Sequence, residues 1–512
     1  MTALPPEHGS GIPTPEPGGQ SLTTRTLKSF MWAGASYGAG KLVVFVSTLI
    51  LARILVPESF GVVAAGLTFI EYLRVVLDLG VGAAVIYEQE RGITERVQTA
   101  FTLNLLVAIV LAAAGFFASP WIAEFFGIGD EADIFRVLSL ALIISGAGKV
   151  SDSVLQRDLD FKKRAVVDIA RAVVRAGVAI VLAFEGFGAW ALVWGYVAGE
   201  VAFTATAWTI VHFVPKLKLQ WEIAKSLLNF GVLVTLTAIV DAVASNGDYI
   251  VVGHLLGPVA LGFYVIAYRM PELILESIYW VSSSIVFPAY SQAREADPDK
   301  LRVAILRALR LLTLYGFSVG VGLALVSRDV VLVFYGPEWA DSVTAMAILS
   351  LTMGLRALSY GIFDVFPAVG KPGVSLWVYV PEVAIQITAM VFVADHGLAA
   401  IAFVLLVVGL AGQTAGLILA KHYVRFRWSE VAHSVRPGVA ASAGIVVFGI
   451  APRLILAQGW VSLVIIIVAG SIGGVCGLLV ASRDTFGELR ELARHVTSRN
   501  GHPDATDALE QD

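Results

Sequence analysis

Residues 54–61 read ILVPESFG, and residues 255–262 read LLGPVALG. At an offset of 201 positions Leu55 matches Leu256, Pro57 matches Pro258 and Gly61 matches Gly262. Each copy stands at the junction of two long apolar runs. Proline suits the first turn of a helix, and a glycine one turn on lets a neighbouring helix come close. Either copy alone is a turn. The pair says that the chain repeats itself. The same offset pairs Glu71 with Glu272. A fainter echo sets EFFG at 124–127 and LSL at 138–140 against VFYG at 333–336 and LSL at 349–351.

Around these copies the chain is apolar almost throughout. Of its 512 residues 57% are hydrophobic and 15% charged, where soluble domains carry about 25% charged residues. Fourteen stretches are long enough to cross a bilayer as helices. They are 29–55, 60–86, 99–119, 137–156, 165–184, 188–211, 226–252, 259–288, 304–327, 342–369, 374–394, 397–420, 437–456 and 460–481. An even number puts both termini on one side, and loop lysines and arginines decide which side. The tails and even-numbered loops hold 26 of them; the odd-numbered loops hold four, Arg53, Arg136, Arg328 and Arg453. Both termini are therefore expected in the cytoplasm, with the chain in the cytoplasmic (inner) cell membrane.

The expected fold is an all-α integral membrane protein with two six-helix halves, 28–214 and 226–421, joined by a linker at 215–225. Helices 13 and 14 follow at 437–482, and tails at 1–27 and 483–512 flank the whole. Six is even, so both halves enter from the same side. They are expected to be parallel repeats about an axis along the membrane normal, with a binding site between them near the midplane. The first tail is rich in proline and glycine and reads as disordered. It lacks the short apolar core and small-residue cleavage site of a signal peptide.

Six basic residues fall inside the spans: Lys41, Arg74, Arg171, Arg175, Arg269 and Arg356. A lysine at the centre of a membrane helix costs roughly 3 kcal/mol on insertion scales. Lys41 is about 20 Å from either end of its span, too deep for its side chain to reach the interface. It needs a partner, a cavity or a ligand. Lys41, Arg74, Arg269 and Arg356 are the candidates for binding an anionic group in a cavity, where arginine grips a diphosphate bidentately. Arg171 and Arg175 lie two to three turns in from the cytoplasmic end and are expected to line the approach. The competing reading is structural pairing. Glu71 precedes Arg74 by three residues, and Glu272 and Glu276 share a face with Arg269. Asp241 or Asp248 could answer Lys41, and Asp364 could answer Arg356. Ion coupling needs a titratable carboxylate facing the cavity, and Asp241, Asp248 and Glu276 are the candidates, for H+ or Na+. Glu200 and Glu382 are mid-span on faces that the sequence does not reveal. None of the eight histidines is mid-span. Tyr37, Tyr72, Tyr264, Tyr268 and Trp280 could stack on sugars.

Several function classes find no support. One cysteine, Cys476, excludes a disulfide within the chain. There is no G-x-S-x-G, Walker loop or metal-ligand spacing, so no enzyme and no cofactor is expected. The basic residues follow topology, which argues against nucleic acid. A polysaccharide polymerase or ligase would need a large outer loop, and the longest here, around 119–136, is under about 20 residues.

Five segments carry a family likeness. ILVPESFG, LQRDLDFKKRA at 155–165, GFGAWALVWGYVAGE at 186–200, NGDYIVVGHLLGPVALGFYVIAYRMPE at 246–272 and FYGPEWADS at 334–342 resemble the oligosaccharide flippases of the MOP superfamily. The branch they resemble is the Wzx-type colanic-acid exporters. The resemblance implies a MATE-like fold and a transporter that flips undecaprenyl-diphosphate-linked oligosaccharide to the outer leaflet by alternating access. Its partners would be that lipid-linked substrate, membrane lipids, and a polymerase with export machinery. The pathway would be exopolysaccharide, capsule or O-antigen (lipopolysaccharide) assembly. A multidrug antiporter of the same superfamily and a lipid II flippase are the alternatives. Four basic residues in one cavity disfavour the cationic substrates of the first.

Overall fold

The computed structural model describes residues 38, 40–78, 93–158, 160–482 and 485–487. Tyr37, the 1–27 tail, the end of the second span and most of 483–512 lie outside them, as does the side chain of Trp280. The described residues are helical, with no strand among them. Each of the fourteen expected spans overlaps a helix. These are α1 (40–54), α2 (Pro57–Asp78), α3 (Ile93–Phe125), α4 (Ala132–Arg157), α5 (Phe161–Phe184) and α6 (Ala189–Val211). The helical run Trp221–Pro271 breaks at Gly257, whose φ of 82° suits glycine, into α7 (221–256) and α8. From residue 258, α8 passes through a π turn, Glu272–Glu276, and continues as Ser277–Ala296. Then come α9 (Pro298–Val330), α10 (Ser342–Leu355, continued in short turns to Ala368), α11 (Leu376–Val393), α12 (Leu398–Val424), α13 (Trp428–Ile455) and α14 (Trp460–Ala481).

Most helices outrun their apolar segments, because hydropathy locates the hydrocarbon and capping locates the helix ends. Asp297 caps α9 through the Asp299 amide at 2.9 Å, with Pro298 next in line. Asp160 caps α5 through the Lys163 amide, and the hydrogen bond from the Lys163 side chain holds its carboxyl below the usual range. Among the described residues, ten helical runs are long and apolar enough to cross a membrane. α5 and α6 are not among them, since Arg171, Arg175 and Glu200 dilute their apolar runs.

The two copies of the repeated octet meet each other. A Cβ added to Gly61 would overlap the Pro258 carbonyl, and one added to Gly262 would overlap the Pro57 carbonyl. The first turns of α2 and α8 thus cross backbone against backbone, each glycine under the other copy's proline. The same end of the bundle is plugged by Trp339, which is 0% exposed. Its ring meets Phe60 and Phe263 edge-on at 5.2 and 6.1 Å, and its indole N–H donates to the Ala52 carbonyl at 2.9 Å. The Arg53 guanidinium donates to the carbonyls of Phe334, at 3.0 Å, and Val333.

The stretch between α6 and α7 is an extended strap, 213–220, laid along the start of α3. The Lys216 amide donates to Gln98 Oε1 at 2.7 Å, the Lys218 amide to Thr102 Oγ1 at 3.0 Å and the Gln220 amide to Thr99 Oγ1 at 3.4 Å. Gln98 Nε2 returns a bond to the Val214 carbonyl at 3.0 Å. Alternate residues of an extended chain face one way, so every second amide reaches a polar side chain of α3.

α13 packs on α9, where a Cβ on Gly438 would press on the Thr313 carbonyl, and Arg302 on α9 bonds Glu430 on α13 at 3.0 Å. α14 packs on α13 through a second glycine seam, in which Gly444 and Gly473 face each other's carbonyls. Without a hydrophobic drive between helices in lipid, such close approach supplies the contact energy. Gly473→Val should therefore destabilise the protein by more than the ~1–3 kcal/mol of ordinary overpacking, because the group in the way is the Gly444 carbonyl. The unfolding midpoint in detergent checks this, and an unchanged midpoint refutes it.

Candidate functional site

Lys41 has its answer on α8. Its Nζ lies 2.7 Å from Glu272 Oε1, with the two side chains 30% and 26% exposed. Lys41 is fourteen residues before Leu55 (55 − 41), and Glu272 is fourteen after Pro258 (272 − 258). α1 and α8 run antiparallel from the glycine crossing, so equal counts bring the two residues to one depth, about 21 Å from that end. The carboxylate is therefore Glu272, and Asp241 and Asp248 are engaged elsewhere. Glu272 also faces Arg269 at 3.5 Å. The pair joins the first six helices to the next six.

A second charged group is built from α2, α4, α5 and α6. Glu200 on α6 is 1% exposed and accepts from Ser145 Oγ at 2.7 Å. The Arg171 guanidinium bonds it directly, and Arg74 lies 3.8 Å away. Arg74 also reaches Glu71 at 3.2 Å and Tyr196 Oη at 3.4 Å. Arg175 stacks over the Tyr196 ring at 5.3 Å, Arg171 over Phe203 at 5.2 Å. Arg171 and Arg175 are ten and fourteen residues into α5 from Phe161, so about 15 and 21 Å along it. Both sit in this group, with Glu200 and Tyr196 as neighbours. Arg175 also lies within electrostatic range of Arg269, which links the two groups. Together Lys41, Arg74, Arg171, Arg175 and Arg269 bring five cations to the two groups, among Glu71, Glu200 and Glu272, with Asp168 and Glu276 within electrostatic range of Arg171 and Lys41. Cations so gathered can bind a polyanion by exchanging partners with it. Glu200→Gln keeps the shape and loses the charge. It should cost about 1.5–3 kcal/mol, the worth of charge-assisted hydrogen bonds, read as a lower unfolding midpoint in detergent.

Arg356 lies apart, with Tyr268, Tyr360 and Glu276 around it. It lines a cavity of about 760 Å³ enclosed by α7, α8, α10, α11 and α12. Asp241, Asp248 and Glu276 line the same cavity. Asp241 accepts from Tyr379 Oη at 3.2 Å; Asp248, 5% exposed, accepts from Tyr264 Oη at 3.0 Å and from the Tyr249 amide at 2.9 Å. Of the aromatic candidates, Tyr268 faces this cavity, Tyr264 is buried on Asp248, and Tyr72 donates to the Ala242 carbonyl at 3.4 Å. The four basic residues first grouped as one site are thus divided: Arg356 belongs to the acidic cavity, and Glu272 stands in the wall between it and Lys41.

Sequence reasoning left Glu200 without a face and Glu272 without Lys41. A signal for the second existed, in the equal distances of the two residues from the repeated octets. For Glu200 there was none, since α6 is apolar all round.

Residues 50–344 match a family model described as polysaccharide biosynthesis protein. The succinoglycan biosynthesis transport protein ExoT of Rhizobium meliloti is 27% identical over 336 residues, 65% of this chain and 67% of that protein. The lipopolysaccharide biosynthesis protein WzxC of Escherichia coli is 24% identical over 361 residues, 69% of this chain and 72% of that one. Among solved structures, the lipid II flippase MurJ in an inward closed conformation superposes with a TM-score of 0.72 at 14% identity. It covers 89% of this chain and 100% of its own. That likeness concerns the fold alone.

Proposed function

The chain belongs to the polysaccharide biosynthesis protein family, and on that premise we propose that it flips an undecaprenyl-diphosphate-linked oligosaccharide across the cytoplasmic membrane. It does so by alternating access, for exopolysaccharide, capsule or O-antigen assembly. The observation that carries this reading is the Lys41–Glu272 pair beside Arg269, backed by the Arg74, Arg171 and Arg175 group. Cationic side chains held mid-span, Lys41 and Arg269 where the first and second six helices meet and Arg74, Arg171 and Arg175 within the first six, are the chemistry a diphosphate needs. With both termini in the cytoplasm, as the loop charges indicate, the Gly61–Gly262 crossing and the Trp339 plug close the outer end. The basic group is then reached from the cytoplasm, where such substrates are made. Asp241, Asp248 and Glu276 are the carboxylates at which H+ or Na+ would be coupled. A polymerase and export machinery would take the glycan at the outer leaflet.

The test is translocation in liposomes. Reconstituted protein should expose a polyprenyl-diphosphate-linked oligosaccharide, loaded in one leaflet, to a sugar-cleaving enzyme on the other side. Exposure no faster than in protein-free liposomes sinks the reading. A cationic dye transported in its place would favour the antiporter.

A further inference from the structure

We propose that the cavity enclosed by α7, α8, α10, α11 and α12 seats the glycan of the flipped lipid, and that it selects uncharged or amine-bearing sugars over uronates. The inference rests on the flippase reading above and adds where the sugars go and which they are. At about 760 Å³ the cavity is far larger than a bare cation requires and falls within the ~300–1,000 Å³ typical of small-molecule sites. It reaches Glu272, the partner of Lys41. A lipid whose diphosphate lies at Lys41 and Arg269 therefore has its first sugars at the cavity's edge.

The lining fits a sugar in two ways. Tyr268, Tyr360 and Tyr379 offer ring faces and hydroxyls. The charged groups are chiefly acceptors. Apart from Glu272, which Lys41 and Arg269 hold, five carboxylates line the cavity against one cation, Arg356, and ionised carboxylates only accept. Gln413 adds an independent sign. It is 5% exposed, it lines the cavity, and its Oε1 has no hydrogen-bond partner among the described residues. A buried acceptor left in that state calls for a donor. Sugar hydroxyls and amines donate; a uronate would bring more negative charge against Asp241, Glu276 and Glu382. An anionic sugar is repelled here while the diphosphate is held next door. The basic group and the acidic cavity thus divide one substrate between them.

Equilibrium binding to the full chain in detergent tests this with three probes: polyprenyl diphosphate without sugar, and the same lipid bearing N-acetylglucosamine or glucuronate. The wild type should bind the N-acetylglucosamine probe about tenfold more tightly than the glucuronate probe, since like charges in an enclosed site are costly. Gln413→Leu should weaken the N-acetylglucosamine probe about tenfold, the worth of one buried hydrogen bond, and leave the sugarless lipid unchanged. Glu382→Gln, which keeps its shape over Gly412, should narrow the gap between the two sugars. Equal binding of all three probes to the wild type overturns the inference and spares the flippase reading. Loss of all three alike in Gln413→Leu also overturns it, as does an effect of that substitution on Na+ or pH dependence with sugar binding unchanged. Failure of even the sugarless lipid to bind the wild type removes the flippase reading, and the inference with it.

Discussion

Lys41→Ala should reach the membrane at normal abundance and lose export of the cell's polysaccharide by a hundredfold or more, on the order of 3 kcal/mol in binding and transport. Two features separate these outcomes. The pair is part-exposed, 30% and 26%, so neither charge is sealed in the protein interior and the loss of a cation is tolerated. Glu272 also keeps Arg269 at 3.5 Å, so no carboxylate is left buried and uncompensated, which is the situation that destabilises strongly. Lys41→Arg should retain part of the activity, because charge survives while reach changes. Lys41→Glu should be worst, since it faces Glu272 and phosphate with a third negative charge. The measurement is export in a strain lacking the native gene, with membrane abundance followed alongside. The exchange Lys41→Glu with Glu272→Lys discriminates further. If it restores full export, the pair is a clasp between helices and Lys41 is no substrate ligand. If Lys41→Ala alone vanishes from the membrane, the same conclusion follows.

Gly61→Leu and Gly262→Leu should each remove export and cost more than the ~1–3 kcal/mol of ordinary overpacking. The group in the way is backbone, the carbonyl of Pro258 in one case and of Pro57 in the other, and backbone inside a helix has little room to move. The reciprocity of the contact makes the forecast specific: the alanine substitutions at the two positions should be about equally harmful. Unfolding midpoints in detergent and export in the deletion strain both read this. Free tolerance of alanine at one position, with damage at the other, would show that the two helices do not cross as described.

The spans were legible because apolar runs of bilayer length are rare by accident, and the repeated octet was legible because proline and glycine resist substitution at such a turn. That the two octets touch was not legible. A glycine says that something comes close and does not say what. Lys41 shows the same limit. Asp241 and Asp248 were its candidate partners and Glu272 was set beside Arg269; only the antiparallel packing of α1 on α8 brings Glu272 to it. The acidic lining of the second cavity was half legible: Asp241, Asp248 and Glu276 were marked as candidates, whereas Gln413 and Glu382 sit on helices with no polar stripe to orient them. The lateral place of Arg356, on a different wall from Lys41, was not legible, because depth in the membrane can be counted along a chain and lateral position cannot.

The strap at 213–220 bears on how such a molecule moves. Connections between rocking bodies are commonly pictured as slack tethers. This one is fastened to α3 at Gln98, Thr99 and Thr102 by four hydrogen bonds, so it travels as part of the first group of helices and has no slack to release. Any swivel must then be concentrated at its ends. One is His212, already in the left-handed region at φ 53°. The other is Gln220, extended at φ −99° and ψ 114°, where the helix of α7 begins. In mechanical terms the joint is a short rod clamped to α3, with a pivot at each end.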